Sequence, residues 1–70
     1  MKPALTKQQK DKFETTLKNI VLEHFPTGII IYWNPLDMPI IEPNEFINNL
    51  SPKAKQQYAS LMHQLKERTL

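Results

Sequence analysis

The stretch Gly28–Ile41, GIIIYWNPLDMPII, decides how this 70-residue chain is read. Ile29 to Trp33 are three isoleucines and two aromatics in succession, a composition that favours a strand and shows no polar alternation. Asn34-Pro35-Leu36-Asp37 is turn chemistry: Pro35 presets φ at the second position, and Asn34 and Asp37 can bond nearby amides. Met38 to Ile41 can return as a second strand, but Pro39 has no amide hydrogen and restricts that strand to an edge. The stretch therefore predicts a hairpin, and a hairpin alone is marginal in water. Its isoleucines are expected in the core, with a partner surface at the tip.

Outward from the hairpin the periodicity turns helical. Thr6 with Gln9 three residues on has the form of a capping box, and Phe13, Leu17, Ile20, Val21 and His24 recur on one face. A helix is predicted from about Thr6 to His24. Pro26 and Gly28 end it, and Gly28, the only glycine, is expected to supply a positive φ or a close approach. Downstream, Phe46, Ile47 and Leu50 suggest a short helix from about Asn44 to Leu50. Ser51-Pro52 is a strong start signal, a capping hydroxyl followed by proline at the first helical position. Ala54, Tyr58, Leu61, Met62 and Leu65 then form an apolar stripe through to about Glu67. The expected fold is α+β and helix-rich, in the order α-β-β-α-α, with residues 1–70 as one small domain.

Composition narrows the function. Hydrophobic residues make up 40% of the chain, below the usual share of about 45–50%, so the core is modest and burial shared with a second chain would help. A homodimer is favoured on that ground. Cys is absent, which removes disulfides and thiolate chemistry. His24 and His63 lie far apart in sequence with no ligand-spaced neighbours, so neither a metal nor another cofactor is expected. The opening residues lack an apolar signal segment and no apolar run approaches the length of a membrane span, which makes cytoplasmic the expected location.

Charge is segregated. Residues 1–18 balance at +3, residues 19–50 carry Glu23, Asp37, Glu42 and Glu45 with no Lys or Arg, and residues 51–70 again balance at +3. No Gly-rich phosphate loop or nucleophile elbow occurs, and the chain reads as non-enzymatic. Glu45 to Leu65, EFINNLSPKAKQQYASLMHQL, resembles the helical hairpin near the N-terminus of RelE/HigB-type toxins. The catalytic basic residues of that family sit on later strands with no counterpart here, so neither the family nor its ribonuclease activity is carried over.

The reading is a small protein-binding module, a regulator, adaptor or inhibitor. Its expected contact residues are Tyr32, Trp33, Leu36, Asp37 and Met38, where aromatic and Met side chains meet an acidic rim. The alternative is a nucleic-acid-binding regulator. Lys7 and Lys10 open the first helix and Lys53 and Lys55 the last, where free amides and ammonium groups can hold phosphate, with Gln56 beside them to contact bases.

Overall fold

The computed structural model describes residues 4–70. Helix α1 runs Lys7–Val21, strand β1 Ile30–Trp33, strand β2 Pro39–Glu42, a 3₁₀ turn Phe46–Asn49, and helix α2 Pro52–Glu67. The fold is α+β and helix-rich, in the order the hydrophobic pattern indicates.

Both helices begin where their capping chemistry places them. The Gln9 amide donates to the Thr6 hydroxyl at 3.1 Å, and the Thr6 amide donates to Gln9 Oε1 at 2.9 Å, completing a capping box. At α2 the Ala54 amide donates to Ser51 Oγ at 3.2 Å, with Pro52 opening the helix. Arg68, at φ 58°, closes α2, and the Thr69 amide reaches the Gln64 carbonyl at 2.9 Å in a Schellman pattern.

Two elements are shorter than their apolar periodicity suggests. Helix α1 stops at Val21, because residues 22–24 tighten into a turn in which the His24 and Phe25 amides share the Val21 carbonyl. A further turn with Pro26 at its second position is closed by Gly28 N–H to Phe25 O at 2.8 Å. Gly28 adopts φ 90°, and nothing lies within 4 Å of where a Cβ would stand, so conformation rather than crowding selects glycine. The segment near Phe46 makes one 3₁₀ turn rather than an α-helix. Glu45 supplies no side-chain cap, and Leu50 is already extended ahead of Ser51-Pro52, which leaves room for a single turn.

Helices α1 and α2 pack antiparallel. His24 Nε2, at the end of α1, accepts the Ser51 amide at the start of α2, and Gln9 lies beside Arg68 at the other end. Phe13, Leu17 and Val21 meet Ala54, Leu61 and Leu65, and Leu5, Ile29, Ile41, Phe46 and Leu50 complete one cluster. Phe46 stands edge-on to Tyr58, with ring centroids 5.2 Å apart and planes at 87°.

A domain of this size is stabilised by roughly 4–10 kcal/mol in all. Phe13 is fully buried, so Phe13→Ala is expected to cost about 3–5 kcal/mol, a large share of the total stability. Ser51→Ala removes a single cap, and its expected cost is about 1 kcal/mol. Urea denaturation followed by circular dichroism measures both.

Candidate functional site

The hairpin has a covered face and an open one, and its turn fixes which is which. The Asp37 amide bonds the Asn34 carbonyl at 3.0 Å, and the Asn34 amide bonds the Met38 carbonyl at 3.1 Å. Asp37 takes φ 58°, so Asn34–Asp37 is a turn followed by a left-handed residue, the three-residue loop that closes hairpins with a bulge. Asn34 Oδ1 accepts from both the Leu36 and Met38 amides, at 2.9 and 3.0 Å, which explains asparagine at this corner. The register that follows pairs Trp33 with Pro39, Tyr32 with Ile40, Ile31 with Ile41 and Ile30 with Glu42.

Side chains alternate across a strand, so this register sorts them. Ile31, Trp33, Pro39 and Ile41 turn toward the helices. Trp33 stands edge-on to Phe13, with centroids 5.3 Å apart, and its indole N–H donates to Glu14 Oε2 at 3.1 Å. Lys10 Nζ lies 5.6 Å from the Trp33 ring centroid and 3.2 Å from Asp37 Oδ1. The other Asp37 oxygen accepts the Leu5 amide at 3.0 Å. These contacts hold the Asp37 carboxyl below its ordinary value of 3.8, the Leu5 amide contributing most, then the Lys10 ammonium, with Arg68 adding a weaker field.

The open face carries Ile30, Tyr32, Met38 and Ile40, with Leu36 at the turn beside them; exposure runs from 36% at Met38 to 80% at Leu36. Glu42, at the end of the face away from the turn, is its one carboxylate. Contiguous exposed apolar side chains on one face are the usual mark of a contact surface.

The contact residues expected from sequence therefore divide. Tyr32, Leu36 and Met38 point to solvent on or beside the open face. Trp33 and Asp37 are tied inward to α1 and to the segment that precedes it. Ile30 and Ile40, expected in the core with the other isoleucines, are about half exposed and belong to the open face, whereas Ile29 and Ile41 are buried. The signal that finds them is parity: once Trp33 is assigned inward, Ile30, Tyr32 and Ile40 must face out.

The lysines expected to hold phosphate do not form one cluster. Antiparallel helices of this length put Lys7 and Lys10 about 20 Å from Lys53, Lys55 and Gln56, at opposite ends of the helix pair. Lys10, moreover, is engaged by Asp37 and Trp33. On the side of α1 turned away from Glu14, a shallow groove of about 270 Å³ is lined by Thr16, Ile20, Gln57, Ser60, Leu61 and Gln64. None of these side chains titrates near neutral pH. A second groove, about 230 Å³, includes Glu23, His24 and Lys53, but His24 Nε2 is occupied by the Ser51 amide. Among the described residues no group of three or more His, Asp or Glu side chains could hold a metal ion, and no helix is long and apolar enough to cross a membrane. Comparison with protein-family models, with curated proteins and with solved structures gives no match.

The lowered Asp37 value has a signed consequence. Its contribution to stability is present above the ordinary value of 3.8 and is lost as pH falls through the lower folded value. Asp37→Asn tolerates the left-handed backbone and removes the ionisable charge together with one of the two acceptor oxygens. Between about pH 6 and about pH 2 the urea midpoint of the wild type is expected to fall more steeply than that of Asp37→Asn. Parallel curves would show that the carboxylate contributes nothing through its ionisation.

Proposed function

We propose that the protein is a non-enzymatic protein–protein interaction module, a regulator, adaptor or inhibitor, that binds through the outer face of its hairpin. One observation carries this reading: Ile30, Tyr32, Met38 and Ile40 stand together in solvent on one side of a sheet whose other side is packed on helices. Two apolar faces on a sheet this small are more than its own helices can cover. An aromatic, a thioether and branched aliphatics, free of lysine and arginine, are the residue types that contribute most at the centre of protein interfaces. The face offers phosphate no described lysine or arginine and one carboxylate, Glu42, which weighs against nucleic acid as its ligand.

The contact set follows from the register and comprises Ile30, Tyr32, Leu36, Met38 and Ile40. Trp33 and Asp37 act behind it by holding the hairpin to α1. Substitutions at those two positions report on hairpin docking, whereas outward substitutions report on binding.

A photo-crosslinking amino acid placed at Tyr32 and, separately, at Gln57 on the opposite side of the helices tests the surface in cells that make the protein. Covalent protein adducts are expected from position 32 and not from position 57, with the same helical spectrum in both variants. Absence of adducts at position 32, or equal yields from the two positions, would remove the hairpin face as the binding surface.

A further inference from the structure

We infer that the occupant of the open hairpin face is a second copy of this chain, packed face to face across a two-fold axis. The inference rests on the reading of that face as a protein-binding surface and names its partner.

Area is the first argument. Ile30, Tyr32, Leu36, Met38 and Ile40 leave on the order of 500 Å² of residue surface in solvent between them, so closing two such faces removes at most about 1,000 Å², the lower limit for specific interfaces. Neither copy needs to move its backbone or uncover its core, because each exposed side chain is already on the face that closes. The chain also gains in proportion to its need. Its own core is a single cluster built on two helices and a hairpin, and small cores of this kind are commonly completed by association.

Charge is the second argument. Like faces can meet only if they do not repel, and among the described residues this face holds one carboxylate and no ammonium or guanidinium group. That carboxylate, Glu42, lies at the end of the face away from the turn. A two-fold axis between the sheets and perpendicular to the strands lays the open end of one hairpin over the turn of the other. The two Glu42 side chains then sit at opposite ends of the interface, and each Leu36 lies toward the partner's open end. Tyr32 and Ile40, directly paired across the two strands, occupy the middle. Sheets packed in this way stand about 10 Å apart with strands within about 30° of alignment, a spacing that branched and aromatic side chains fill.

Backbone pairing through the sheet edges is the weaker route to a dimer. On β2, Pro39 occupies a non-hydrogen-bonded position of the ladder, so the outward edge lacks an amide hydrogen there. On β1 the outward groups of Ile31 and Trp33 could pair with a second β1, but the resulting four-stranded sheet would leave the apolar face of both copies in water. Face-to-face packing removes that surface.

Sedimentation equilibrium of the full chain tests the inference. An interface of this size is expected to associate more weakly than about 1 µM, so loading from about 10 µM to about 1 mM brackets it. The mass is expected to rise with concentration from 8.2 kDa toward twice that value. Ile40→Lys should stay monomeric throughout, and Leu36→Ser, at an exposed turn position, should weaken association by about tenfold or more with an unchanged circular dichroism spectrum. A wild type that is monomeric at every concentration overturns the inference. A dimer indifferent to both substitutions also overturns it, by assigning association to another surface. The two levels of interpretation separate cleanly. A monomer that still crosslinks to a different protein from position 32 keeps the binding face and removes the second copy; a chain that gives no adduct there loses both.

Discussion

Lys10 is the point at which the two layers of this protein are joined. Its ammonium lies 3.2 Å from the Asp37 carboxylate and over the Trp33 ring, so one side chain of α1 holds both the turn and the inner face of the hairpin. Beside it Phe13 takes the edge of Trp33 and Glu14 takes its N–H, so a single exposed-to-buried stretch of helix makes every one of these contacts. The aromatic pair contributes about 0.5–1.5 kcal/mol beyond area and the cation over the ring about 0.5–1 kcal/mol, modest terms that act together. A two-stranded sheet without such docking would not persist. The backbone strain at Asp37 is tolerated because its carboxylate is bonded at both oxygens, one to Leu5 and one to Lys10.

Docking one face of the hairpin determines what the other face can do. Once Trp33 and Ile41 turn inward, the pleat sends Ile30, Tyr32 and Ile40 outward without further choice. The protein thus presents apolar surface on a rigid support rather than on a loop, and the residues that support the surface are not those that form it. Substitutions of Trp33 and of Tyr32, adjacent in sequence, therefore act on different things.

Much of the fold is legible in the chain because the relevant interactions are short in range. The Thr6–Gln9 capping box, the Ser51-Pro52 start, the positive φ of Gly28 and the turn at Asn34 are each set by residues within a few positions of one another. The helical stripes are legible for the same reason, since a period of 3.6 marks one face. The candidate site is legible only in part. Tyr32, Leu36 and Met38 stand exposed, but Trp33 and Asp37 look equally available in sequence until α1 is placed beside them. An unbroken apolar run has no polar residues to mark its solvent side, so nothing local separates Ile30 from Ile29 or Ile40 from Ile41.

By itself, then, the sequence determined where both long helices start, where the chain turns, and that a strand pair too apolar for its size lies between two helices. Tertiary structure alone decided the facing of that pair, because facing depends on contacts 19 to 32 residues apart: Trp33 with Glu14, and Asp37 with Leu5. It also decided that the two lysine clusters stand at opposite ends of the molecule, since the antiparallel order of α1 and α2 is fixed only when their apolar stripes close on a common core. Local chemistry writes the elements; only packing chooses which face of the hairpin is left for water or for another molecule.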